Sequence, residues 1–163
     1  MTQKTKILFV CLGNIIRSPL AEHMFARMAE TSGLNGKYEV DSAGTSDYHV
    51  GEEPDRRMRK AAASYGLVYT GEARQFRPQD FDEFDLIIPQ DTSNLEALRR
   101  MARRKEDIAK LHTMRSFDPQ GGAHLGVPDP YYGGVDGFHE TYEIVRRSCQ
   151  GLINALESGE LEA

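Results

Sequence analysis

Lys6-Ile7-Leu8-Phe9-Val10 is almost continuously apolar. Such a run fits a strand buried on both faces of a parallel sheet better than one alternating against solvent. The loop Cys11-Leu12-Gly13-Asn14-Ile15-Ile16-Arg17-Ser18 follows at once, and Ser18-Pro19 offers a helix start, with serine as cap and proline as first helical residue. Leu20, Ala21, Met24 and Met28 recur at helical spacing, predicting a helix over 19–31 that ends before Gly33. Tyr38 to Ser42 reads as a second strand, Ala43 to Glu53 as a loop, Pro54 to Ser64 as a helix closed by Gly66, and Asp85 to Ile88 as a third buried strand. Asp91 or Thr92 caps a helix carrying Leu95, Leu98 and Met101, and Ile108 to Leu111 predicts a fourth strand. Asp118 to Gly134, rich in glycine and proline, reads as loop. The last helix is predicted over 135–156, with Phe138, Tyr142, Val145, Cys149 and Leu152 on one face.

Strands alternating with helices predict an α/β domain of three layers: a four-stranded parallel sheet, helices on both faces, and a phosphate loop after the first strand. No repeat or linker divides the chain, so residues 1–163 read as one domain, with the acidic tail 157–163 expected to fray.

Composition narrows the function classes. The 163 residues are 39% apolar and 28% charged, an ordinary globular mixture, and the net charge of −5 argues against a nucleic-acid partner. Two cysteines, Cys11 and Cys149, suggest no disulfide framework and a reducing compartment. The apolar run after Thr5 is too short for a signal-peptide core or a membrane span. A soluble cytoplasmic protein, monomeric and without a membrane partner, is expected. Arg99, Arg100, Arg103, Arg104 and Lys105 lie at a predicted helix C-terminus, where cations suit the dipole, and read as a solvated end rather than a docking patch.

Candidate chemistry centres on the first loop. A parallel sheet binds ligands at the carboxyl ends of its strands, and a helix N-terminus there presents free N–H groups to an anion. A loop of this length can curl its N–H groups around one phosphate, with Arg17 gripping two oxygens through its planar fork. The same field favours the thiolate of Cys11, the nucleophilic form. A cysteine at a strand end is more often a small buried hydrophobe. Here the preceding buried strand, the conformational freedom of Gly13 and Asn14, and the following helix together favour function. Nucleotide-type phosphate loops do not fit, and the five histidines (His23, His49, His112, His124, His139) show no metal-ligand spacing and read as surface or local hydrogen-bonding residues. No metal or other cofactor is expected.

Val10-Cys11-Leu12-Gly13-Asn14-Ile15 and Arg17-Ser18-Pro19-Leu20-Ala21-Glu22 resemble the signature of low-molecular-weight protein tyrosine phosphatases. The likeness runs along nearly the whole chain, through Asp41-Ser42-Ala43-Gly44-Thr45, Ala73-Arg74-Gln75, Asp91-Thr92-Ser93-Asn94-Leu95 and Asp129-Pro130-Tyr131-Tyr132. From the residues alone Asp129-Pro130 is a turn signal; the resemblance makes Asp129 the general acid and base. It implies a cysteinyl-phosphate mechanism, with Cys11 as nucleophile, Arg17 as transition-state stabiliser and Ser18 donating to the sulfur. Leu12, Gly13, Asn14, Ile15, Ile16, Arg17 and Ser18 would form the phosphate-binding segment, and Asn14, Ser18 and Ser42 would support it. Ile15, Tyr48 and Tyr131 would wall the pocket. Tyr132 reads equally well as a wall or as an ordinary half-buried tyrosine. The implied partner is a phosphotyrosine protein, such as a tyrosine kinase or an exopolysaccharide-system protein, with inorganic phosphate and other oxyanions as ligands.

Two departures from the family pattern stand out. Ile16 replaces the second cysteine of many members, which removes a trap for an oxidised nucleophile. Gly71 replaces a histidine that supports the loop in some. Ile15 also stands where the protein arginine phosphatase branch has a threonine, which leans the resemblance toward phosphotyrosine. Arsenate reductases on this fold need further cysteines, and Cys149 on its helix is a poor relay.

Overall fold

The computed structural model describes residues 3–124 and 126–162. Strand β1 (Thr5–Cys11) lies at the centre of a parallel sheet, between β2 (Tyr38–Gly44) and β3 (Leu86–Pro89). Its central place explains its composition, since Ile7, Leu8, Phe9 and Val10 are all fully buried. Successive side chains point to opposite faces. Ile7 and Phe9 pack with residues of α1 (Arg17–Thr31), α2 (Arg56–Ser64) and α6 (Val135–Ser158), whereas Leu8 and Val10 pack with Phe81 of α3 (Asp80–Glu83) and Leu98 of α4 (Thr92–Met101). Helices therefore cover both faces, as the burial pattern predicts.

The sheet has three strands among the described residues, where four were expected. Lys105–Ala109 is a short helix, α5, and only Leu111 touches the sheet, as an isolated bridge to Ile87. Buried Asp107 decides this: its carboxylate accepts the Arg103 N–H at 2.9 Å and the Arg103 guanidinium at 3.1 Å, tying the chain into a turn before it can extend. A short apolar run does not distinguish these outcomes by itself. The same Arg103 reaches Asp82 at 2.7 Å, so this member of the basic cluster is paired rather than simply solvated.

Helix α1 begins two residues earlier than its cap chemistry suggested. Ile16 holds the cap position without a side-chain bond, and Ser18 lies inside the first turn with its hydroxyl turned toward the loop. Proline remains tolerable at Pro19, because first-turn N–H groups lack helical partners anyway. At the other end of the chain, α6 continues to Ser158, and Glu157 accepts bonds from Lys37 and Tyr38. The tail expected to fray from 157 is therefore anchored at its start. No helix among the described residues is long and apolar enough to cross a membrane.

Candidate active site

Cys11 is the last residue of β1, paired with Gly44 of β2, at the carboxyl edge of the sheet. Its sulfur is 3.0 Å from Ser18 Oγ. Residues 11–17 then bend back to open α1. Asn14 makes the bend in the left-handed region, at φ 57°, which asparagine tolerates better than most residues. Gly44 makes room beneath it: a Cβ there would stand 2.8 Å from the Leu12 carbonyl oxygen.

The Asn14 amide holds the bend from behind. Nδ2 donates to Ser18 Oγ at 2.9 Å and to Ser42 Oγ at 3.0 Å, while Oδ1 accepts the Arg74 backbone N–H at 2.9 Å. Since Ser18 accepts from Asn14, its own proton can point at the Cys11 sulfur, 3.0 Å away, or at the more distant Ala43 carbonyl at 3.4 Å. Ser42 passes its proton outward to Glu22, with Oγ to Oε1 at 2.6 Å. Burial pushes the Glu22 carboxyl up to about 7, with Asp41 adding to the rise and the Ser42 hydrogen bond and Arg74 opposing it.

Arg17 is buried, so its charge needs partners. Nη1 donates to Asp91 Oδ2 at 2.6 Å and to the Val127 carbonyl at 2.9 Å, and Nη2 lies 3.5 Å from Asp129 Oδ2. Burial works against the guanidinium charge, but the Cys11 sulfur, Asp91 and Asp129 outweigh it and hold the pKa above the ordinary arginine value. The loop bearing Asp129 is tied to the sheet edge, with Val127 N–H on the Gln90 carbonyl and Arg115 on the Gly126 carbonyl. Asp129 itself accepts the Tyr131 N–H at 3.1 Å and keeps its side chain 40% exposed.

These groups meet in a cavity of about 170 Å³. Cys11, Leu12, Gly13, Ile15, Ile16 and Arg17 line it from the loop, and Tyr48, Asp129, Tyr131 and Tyr132 from the surrounding segments. Asn14, Ser18 and Ser42 lie behind the loop and do not line the cavity. Tyr48 and Tyr132 are 71% and 96% exposed, so they stand at the mouth rather than as enclosed walls, while Tyr131 packs edge-on against Tyr132 and under Arg57. The cavity, a hydrogen-bonded thiol and a buried arginine can together receive a tetrahedral oxyanion. The model for the low molecular weight phosphotyrosine protein phosphatases matches residues 6–161.

The chain belongs to that family.

A low molecular weight protein-tyrosine-phosphatase of Streptomyces coelicolor is 45% identical over 93% of this chain and 93% of its own. The crystal structure of an Entamoeba histolytica protein tyrosine phosphatase with Hepes in its active site superposes with a TM-score of 0.92, at 40% identity, covering 97% of this chain and all of that one. A Drosophila arginine phosphatase superposes at 0.84 and 32% identity, over 92% of this chain and 96% of its own.

Among phosphatases of this family, several supports here escape a reading of the sequence. Asp91 is legible as the cap of α4, which it is, accepting the Asn94 N–H at 2.7 Å; its second oxygen on Arg17 is not legible. Glu22 lies in the signature but four residues past Ser18, with nothing to show that it ends a hydrogen-bond chain. Beside Gly71 stands the His23 ring, stacked on Tyr69 at 4.9 Å, and burial lowers its pKa. His49, read as a surface or local hydrogen-bonding residue, does pair locally with Glu52, at 2.9 Å, and it also lines the cavity.

Proposed function

We propose that the chain is a protein tyrosine phosphatase, and that one domain spanning its whole length carries the reaction. The observation that carries this reading is the convergence of the Cys11 sulfur, the Arg17 guanidinium and the Asp129 carboxyl on one cavity at the end of the central strand. The segment from Leu12 to Ser18 is the phosphate loop, its N–H groups and the Arg17 fork holding the phosphate oxygens.

The reaction has two steps. The Cys11 thiolate attacks phosphorus, the S–P bond forms, and the P–O bond to the tyrosine ring breaks as Asp129 protonates the departing oxygen. Water then attacks phosphorus and gives its proton to Asp129, and the S–P bond breaks to return the thiolate. Ser18 donates to the sulfur when it carries charge. The positive charge comes from Arg17 and the loop donors, so the scheme needs no metal or organic cofactor. Ile15, Tyr48, Tyr131 and Tyr132 flank the substrate ring. The partner is a phosphotyrosine protein, a tyrosine kinase or an exopolysaccharide-system protein fitting equally, in a reducing cytoplasm that preserves the thiol.

The likeness to an arginine phosphatase supports a second substrate, phosphoarginine, against which Ile15 weighs. Turnover of phosphotyrosine, phosphoserine, phosphoarginine and arsenate by the wild type, Cys11→Ser and Asp129→Ala decides between them. Phosphotyrosine hydrolysis that disappears in Cys11→Ser, while phosphate still binds, supports the proposal; appreciable hydrolysis by that variant refutes it. Asp129→Ala used as a trap in lysate identifies the substrate.

A further inference from the structure

Arg57 stands in the first turn of α2, half exposed, and divides its guanidinium between two neighbours. Nε lies 3.3 Å from Asp55 Oδ1 and Nη2 3.0 Å from Asp55 Oδ2, so one carboxylate grips two prongs of the fork. Asp55 is itself fixed, because Oδ1 caps α2, accepting the Arg57 N–H at 2.8 Å and the Met58 N–H at 3.3 Å. The guanidinium carbon lies over the Phe138 ring, 4.7 Å from its centroid, and Nη1 donates to the Tyr131 carbonyl at 3.0 Å.

An exposed ion pair ordinarily contributes little to stability. This one reaches the catalytic machinery at two points. The Asp55 N–H donates to the Ile15 carbonyl of the phosphate loop at 2.7 Å. On the other side Tyr131, whose carbonyl Arg57 holds, donates its own N–H to Asp129 Oδ1 at 3.1 Å. Pro130 between them has a fixed φ and no N–H, so Tyr131 is the first following donor that the Asp129 carboxylate can meet. With Oδ1 taken, Oδ2, which lies 3.5 Å from Arg17 Nη2, is the oxygen left to carry a proton into the cavity.

We propose that Arg57, aimed by Asp55, is a positioning residue for the general acid: it holds Tyr131 so that the Tyr131 N–H keeps Asp129 Oδ2 turned to the leaving oxygen. This rests on the phosphatase reading above. In the first step the Oδ2 proton passes to that oxygen as the P–O bond breaks, and an acid displaced by about an ångström loses much of its contribution. Arg57 does not line the cavity, so it acts through Asp129 and not on the phosphate. The surrounding charges agree with this placement: Asp55 foremost, then Tyr131 and Asp129, hold the Arg57 pKa above the ordinary arginine value. The start of α2 is thus a strut between the phosphate loop, held through Ile15, and the acid, held through Tyr131.

The test compares wild type, Arg57→Ala, Asp129→Ala and the double variant on two esters. The leaving group of p-nitrophenyl phosphate departs with little protonation. Phenyl phosphate releases a phenolate about as basic as that of tyrosine, with a pKa of about 10, and depends on the acid. Arg57→Ala is expected to lose about tenfold in kcat/KM on phenyl phosphate and less than about twofold on p-nitrophenyl phosphate. In the Asp129→Ala background the Arg57 substitution is expected to cost nothing further, since both act through one proton. No loss, a loss equal on both esters, or one undiminished in that background overturns the proposal. Asp129→Ala as fast as the wild type on phenyl phosphate removes the acid, and the proposal with it. Arg57→Gln, which cannot grip Asp55 as a charged fork, carries the same comparison if the alanine variant does not fold. Hydrogen exchange at the Tyr131 amide reads the positioning without catalysis: faster exchange in the Arg57 variant supports it, and an unchanged rate overturns it. A wild type inactive on both esters refutes the phosphatase reading instead, and the exchange rate still decides whether Arg57 holds Tyr131.

Discussion

Arg17 Nη1 lies 2.6 Å from Asp91 Oδ2, a contact between the start of α1 and the cap of α4 that spans the carboxyl edge of the sheet. One carboxylate thus does two things, since its other oxygen caps α4. Asp91→Ala should lose about 1 kcal/mol of stability for the cap. It should also lose about tenfold or more in kcat/KM on an aryl phosphate, because Arg17 is no longer aimed. Asp91→Asn keeps a capping oxygen and should recover most of the stability but not the rate. Denaturant melts set beside steady-state kinetics separate the two effects.

Ser18 accepts from Asn14 and faces the Cys11 sulfur, so Ser18→Ala removes a donor from the nucleophile and orphans an amide proton. A cost of about 1–3 kcal/mol in stability is expected for the unpaired buried group. The thiol should also become slower to alkylate. Alkylation rates matching the wild type at every pH would show that the hydroxyl does nothing for the sulfur.

Glu22 predicts a pH dependence of stability. Its folded pKa is raised by burial to about 7, above the ordinary carboxyl value of about 4.3. A raised folded pKa means the folded state binds the proton more tightly than the unfolded one. The associated stability is fully present below about pH 4.3 and is lost as pH rises through about 7. Over that range the group removes at most about 4 kcal/mol. Glu22→Gln, which can still accept from Ser42, should fall less in stability than the wild type between pH 5 and pH 8. Parallel thermal melts at the two pH values read this directly.

Oxidation gives a further test. Ile16 provides no neighbouring thiol, and Cys149 is fully buried, with burial pushing its thiol pKa well above the ordinary range. Its sulfur sits under α1, 3.7 Å from the Ala21 carbonyl. Mild peroxide should therefore carry Cys11 past sulfenic acid to the sulfinic state. Mass spectrometry should find two added oxygens on the Cys11 peptide; a Cys11–Cys149 disulfide would contradict the expectation.

Much of this protein is legible in residue order, because the signals are local. Burial of Ile7 to Val10 on both sides follows from an uninterrupted apolar run, and a ligand loop after it follows from a strand end meeting a helix start. The succession Cys11, Arg17, Ser42, Asp91 and Asp129 identifies the family, since several short motifs in one order are hard to meet by chance. Element type failed only where local preference was weak: the apolar stretch at Ile108 became the end of a helix because Arg103 and Asp107 closed a turn around it. What residue order does not contain is which side chain a polar group meets across the fold. Ser18 reads locally as a helix cap, yet Asn14 and Cys11 claim its hydroxyl. Asp91 is 74 residues from the arginine it holds, and Asp129 is 112. His49 faces the cavity because its turn is tied to Ala73. Hydrophobic burial is repeated along the chain and so can be read from it. A hydrogen bond between distant segments depends on ångström placement, and only the packed tertiary structure decides that.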